Sequence, residues 1–151
     1  MIEQLVISVV SALPPVSKDN GDFDGNAVID THGIKTGVLY LIQCGSLAAA
    51  VGSVAEANAI KIQECDTVDG EFTDIEGAAL SGPIAGDKDG KIYGVFVNLR
   101  KSHKRYQKVA APHVGDGSGT ASLLSILALQ IDPQIAPESA ADFGLEELVL
   151  A

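Results

Sequence analysis

Tryptophan is absent from this 151-residue chain, aromatic residues make up 5% of it, and cysteine occurs only twice. Two thiols cannot build a disulfide framework, and neither Cys44 nor Cys65 sits in a CxxC or Cys/His spacing, so structural zinc is not expected. Each closes an apolar segment and reads as a free, partly buried thiol. Cations are scarce too: ten Lys and Arg face twenty Asp and Glu, for a formal charge of −10 and a pI near 4.5. General affinity for nucleic acid or anionic membrane needs net positive potential, so both are excluded as specific partners. Catalytic signatures are also missing. There is no G-x-S-x-G elbow and no H-E-x-x-H pair, and the GDGSG loop at 115–119 lacks the G-K-[ST] ending of a phosphate cradle. His32, His103 and His113 stand in no catalytic spacing and read as surface-loop histidines. Neither an enzyme nor a cofactor is expected. The opening MIEQLVISVVSALPPV has no basic lead and carries Glu3, and its apolar run is too short to cross a bilayer. It reads as a strand.

What is present points to β structure. Hydrophobic residues make up 46% of the chain and glycine supplies 16 positions, which suits strands separated by many turns. Residues 4–10 (QLVISVV) favour a strand that Pro14-Pro15 should end. A short strand follows at 27–31, and TGVLYLIQC (36–44) has the continuous apolar run of a buried central strand. The small-residue stretch 46–59 suits a strand and loop. In AIKIQEC (59–65) Ile60, Ile62 and Glu64 alternate with Lys61, Gln63 and Cys65. EFTDIEG (71–77), KIYGVFVNLR (91–100), RYQKVAAP (105–112) and TASLLSILALQI (120–131) supply further strands. About eight strands with regular turn signals predict an all-β, antiparallel β-sandwich of jelly-roll or Ig-like type over residues 1–131, with extended N- and C-terminal arms. Residues 132–151, set off by Pro133 and Pro137, read as an acidic arm or short helix.

Two polar stretches could carry function. Asn20, Asp22, Asp24 and Gly25 match the first half of a calcium loop, but Thr31 stands where the bidentate Glu belongs, so a bare acidic turn is favoured. Five of the ten Lys and Arg crowd into residues 100–108, which leaves −15 for the rest of the chain. The predicted structure there is a hairpin bending at Lys101–Lys104, with Tyr106 and Val109 returning to the core. One tyrosine is thin support for base stacking. Arg100, Lys101, His103, Lys104, Arg105 and Lys108 are therefore the candidate docking patch, for an acidic surface that could belong to an identical subunit.

The order of segments carries a resemblance. IKIQECDTVDGEFTDIEG, a Gly-rich spacer, GVFVNLRKSHKRYQKVAAP and the closing TASLLSILALQ together resemble small virion structural proteins of tailed bacteriophages. Such proteins carry "I-x-I-Q-E-S-D", "F-T-D-I" and "K-R-Y-x-x-V" patterns; the matching residues are Ile60–Asp66, Phe72–Ile75, Lys104–Val109 and Ala121–Leu129. The likeness spans roughly residues 27–130, with Cys65 where Ser is usual. It implies a non-enzymatic capsid decoration (cement) protein or head-associated spike. The implied partners are the major capsid protein, other virion proteins and copies of itself, and the implied place is the capsid surface after assembly in the bacterial cytoplasm. The alternatives are a tail or connector component, or a calcium- or carbohydrate-dependent β-sandwich module using residues 19–30.

Overall fold

The computed structural model describes residues 6–23, 26–34, 36–52, 60–110, 113–115, 121–131 and 144–151. These residues form strands and connections with no helix. The strands are β1 (Val6–Lys18), β2 (Asn20–Asp22), β3 (Ile29–Asp30), β4 (Gly37–Cys44), β5 (Lys61–Cys65), β6 (Thr73–Ala79), β7 (Ile92–Asn98), β8 (Tyr106–Val109), β9 (His113–Gly115), β10 (Ser122–Ile131) and β11 (Glu147–Leu150). The larger sheet has the order β1-β10-β4-β7-β11 and the smaller β3-β8-β5-β6, while β2 and β9 make a two-stranded ribbon. The fold is all-β and sandwich-like. It holds eleven strands among the described residues against the eight or so expected: β2 and β9 are three residues long, too short to leave a periodic pattern, and β11 falls in the tail read as an arm or short helix.

Alternation along the strands decides which side chains enter the main core. On β4, Val38, Tyr40, Ile42 and Cys44 face the core, and the register places Tyr40 between Val95 of β7 and Ala128 of β10. Leu124 and Ile126 of β10 extend the same layer. The facing sheet contributes Ile29, Ile62, Ala78 and Val109 to a single apolar cluster. Each fully buried Ile, Leu or Val is worth about 1.5–3 kcal/mol relative to exposure. A buried polar tie joins the two sheets. The Tyr40 hydroxyl donates to Oε1 of Gln107 on β8 at 2.9 Å, and Gln107 is completely buried. Burial pushes the Tyr40 phenol far above its usual range.

Four expectations are corrected here. Pro14 and Pro15 do not end the first strand; β1 runs on to Lys18 through register shifts between Ser11 and Leu13 and between Leu13 and Val16. The strand lies at the sheet edge, where a missing N–H breaks no ladder, so two prolines are tolerated. The N-terminal segment from Val6 is thus a sheet edge and not an arm. The tail, read as an arm or short helix, returns as strand: Glu147–Leu150 pair with Tyr93–Phe96 in parallel, which makes the larger sheet mixed rather than antiparallel. Residues 132–143 lie outside the described residues. Finally, β7 and β8 do not form a hairpin. They belong to different sheets, so the basic stretch between them is a crossover from one sheet to the other.

A cationic turn as the candidate functional site

The crossover is fixed at both ends by hydrogen bonds that its own sequence supplies. At its start, the Asn98 side-chain carbonyl accepts from the Arg100 N–H at 2.9 Å, a local turn that bends the chain off β7. At its far end the Lys104 N–H donates to Glu64 Oε2 on β5 at 2.9 Å. Between them, Nδ1 of His103 lies 2.8 Å from the Lys101 carbonyl. Arg100, Lys101, Ser102 and His103 are exposed. Among the described residues, neither Arg100 nor Lys101 has a carboxylate within ion-pair distance.

The second half of the patch is spent internally. The Arg105 guanidinium grips Asp30 with two parallel bonds, Nε to Oδ1 at 2.9 Å and Nη2 to Oδ2 at 2.8 Å. That fork, helped by the His32 N–H, holds the Asp30 carboxyl down at about 2. The Arg105 carbonyl accepts from the Thr31 N–H at 3.0 Å and from its hydroxyl at 2.5 Å. Lys108 places its ammonium 4.4 Å from the centre of the Phe72 ring, and the Lys104 ammonium lies 3.5 Å from the Thr73 hydroxyl. The six candidate residues therefore share one region but divide in role. Arg100, Lys101 and His103 are exposed, with His103 held to the Lys101 carbonyl; Lys104, Arg105 and Lys108 brace the fold.

Tyr106 corrects a further expectation. It does not return to the core; Gln107 and Val109 do, while Tyr106 and Lys108 are half-buried on the other side of β8. Arg105 stacks 5.0 Å from the Tyr106 ring centre on that outer side. A glutamine pointing inward is the reverse of what side-chain polarity suggests, and only the partner Tyr40 on another sheet accounts for it.

Beside the turn lies a groove of about 530 Å³, within the size range of binding sites. Lys101 and His103 line it together with Glu64, Asp74 and Glu76, and Ile75 and Leu150 are among its apolar lining residues. Two of the lining carboxylates are engaged: Glu64 by the Lys104 N–H, and Asp74 by Lys61 at 2.8 Å and Gln63 at 2.8 Å. Those bonds hold the Asp74 carboxyl below its usual range. No expectation from sequence included this groove, because its lining comes from β5, β6, β11 and the end of β7 with the crossover.

The remaining sequence candidates are dispersed. Asn20–Asp22 pair as strand β2 with β9, so that part of the presumed calcium loop is regular ladder; Asp24 and Gly25 lie outside the described residues. Asp22 meets His113 Nδ1 at 2.7 Å, which places His113 in a strand and not in a loop. No group of three or more His, Cys, Asp or Glu is disposed to hold a metal ion among the described residues. Cys44 and Cys65 are free and buried, and desolvation with the nearby Asp89 charge pushes the Cys44 thiol up to about 11. Residues 116–119 of the GDGSG loop lie outside the described residues.

An all-β sandwich with a cationic crossover turn is the class that the fold and this site define. Comparison with known protein families, curated proteins and solved structures finds no match for the chain.

Proposed function

We propose that this protein is a virion structural component of a tailed bacteriophage, a capsid decoration (cement) protein held on the head shell by non-covalent contacts. The reading rests on the resemblance of residues 27–130 to small phage virion proteins, and one structural observation carries it further. In a chain of charge −10, Arg100 and Lys101 stand exposed and without an ion pair among the described residues, on a turn fixed at both ends. Holding two such cations in place invites an acidic partner, since a preorganised charge loses less freedom on docking. A shell then repeats the contact many times, and weak contacts add up to firm attachment.

The test is co-sedimentation of the purified protein with assembled shells of its phage, in rising salt. Wild type should bind shells better than free capsid subunits and dissociate as salt screens the contact. Arg100→Glu with Lys101→Glu should release it. Attachment that ignores both changes and salt removes the turn from the interface, and no attachment to any shell removes the role.

A further inference from the structure

The two sheets of the sandwich differ in kind. The strands of the smaller sheet carry Asp30, Lys61, Glu64, Asp74, Glu76 and Lys108. In the larger sheet β4, β7 and β10 hold no charged residue at all, and β1 holds only Lys18, at its end. A sheet whose outer face meets water ordinarily alternates apolar inward with polar outward. Here that alternation is broken. The register sets Val9, Leu129, Leu39 and Phe96 in one row across β1, β10, β4 and β7, and Ser11, Leu127 and Leu41 in the next. These side chains point away from the main core: Leu39 and Phe96 belong to a second apolar cluster, with Leu41, Leu129 and Leu148 packed on it.

Half of this outer face is closed by the chain itself. Leu39 and Phe96 are buried, and Leu145, just ahead of β11, lies so close over Gly94 that a β-carbon there would be 2.7 Å from its Cδ1. The other half is open: Val9 is 58% exposed, Leu127 41% and Leu123 40%. A connected apolar surface left open on a sheet marks an interaction site. We infer that the open β1–β10 half is the contact between two copies of this chain, packed face to face about a two-fold axis. Charge selects the occupant. Each copy carries −10, so copies repel wherever their charged surfaces approach, and on this face they meet without opposing charges. A patch that packs against itself needs no second complementary site, and this one has no charge with which to select an acidic or basic stranger. The sheet edge does not serve instead. Pro14-Pro15 and the register shifts interrupt β1, and the Ala12 carbonyl already accepts from the Ala27 N–H at 2.9 Å. The size suits a reversible dimer: β10 with a strand on either side spans about 34 Å by 14 Å, so two copies would cover about 1,000 Å², the lower end for a specific contact.

This inference rests on neither the cationic turn nor the shell, and salt tells the contacts apart. Sedimentation equilibrium of the full chain over a concentration series, at low and high salt, tests it. Wild type should dimerise, and more tightly as salt screens the −10 on each copy. A contact made by the cationic turn would weaken instead. Position 127 is the midpoint of the outward side chains of β10, which brings it near its own copy. Leu127→Glu and Leu127→Lys should therefore each weaken the dimer about tenfold or more. Mixing the two variants should restore association that neither shows alone at the same salt, a result that damage to folding cannot imitate. Arg100→Glu with Lys101→Glu should leave the dimer unchanged at high salt. The pairing is overturned by a wild type that stays monomeric throughout, by a dimer that weakens with salt, or by Leu127 variants that associate like wild type. A mixture with no recovery, or loss of the dimer in the turn variant, overturns it equally. Failure to bind any shell with the dimer intact counts against the proposed role alone.

Discussion

Between Arg100 and His103 the basic residues reach into solvent, while between Lys104 and Lys108 the same residue types turn back onto the fold. Composition does not separate the two halves; placement does. The first half lies on a crossover whose neighbours leave its charges unmatched. The second half meets Asp30, Phe72 and Glu64, delivered by β3, by the β5–β6 turn and by β5. A run of positive charge is thus half interior bracing and half docking surface, and each half should answer to different measurements.

The largest effect should come from the inner half's deepest contact. Tyr40→Phe removes the hydroxyl that satisfies Gln107 Oε1, on a side chain whose Nε2 has no partner among the described residues. Leaving that amide wholly unpaired in the core should cost about 1–3 kcal/mol. Urea denaturation should show a lower midpoint with an unchanged slope. No loss would mean that the link between the sheets is dispensable. Next in size is Lys108→Ala, which removes the cation above Phe72 and should cost about 0.5–1 kcal/mol in the same assay.

A smaller effect marks the Arg105 fork. Its Asp30 partner titrates at about 2 in the folded chain against 3.8 for a free carboxyl, so the folded pKa is depressed. Any stability from this pair is present in full above the unfolded value and lost as pH falls through about 2. Both partners are half exposed, so solvent screens most of that contribution. Arg105→Gln should return the Asp30 titration toward 3.8, read by carboxyl-carbon NMR against pH. An Asp30 that still titrates at about 2 would assign the depression to the His32 N–H instead.

The legibility of these regions from sequence follows the reach of the forces involved. β4, β7 and β10 are visible because continuous apolar runs such as VLYLI and SLLSILALQI are local statements about burial. Ile60 and Ile62 are likewise buried as their alternation implies. The errors lie where a distant partner decides. Pro14-Pro15 looks like a stop until β1 proves to be an edge strand, and ELVL is helix-like until the free edge of β7 pairs with it. The phase of β8 is misjudged because Arg105 precedes the pleat and because a buried Tyr40 hydroxyl stands ready for Gln107. Of the candidate patch, composition reveals the cluster but not its division, since the carboxylates that split it lie 40 and 75 residues away. The groove depends on four separated segments and leaves no local trace at all.

The outer half sharpens the comparison by what it should fail to do. Arg100→Glu and Lys101→Glu alter exposed side chains that bond to no other described residue, while the backbone bonds that shape the turn, from Arg100 to Asn98 and from Lys104 to Glu64, remain. Surface changes of this kind fall within about 0.5 kcal/mol, so the urea midpoint should stay at its wild-type value. Reversing two charges nonetheless takes the 100–108 stretch from +5 to +1. Salt-sensitive binding should therefore collapse in a protein that remains as stable as before. A parallel loss of stability would show that the first half also braces the fold, and the division at Lys104 would disappear.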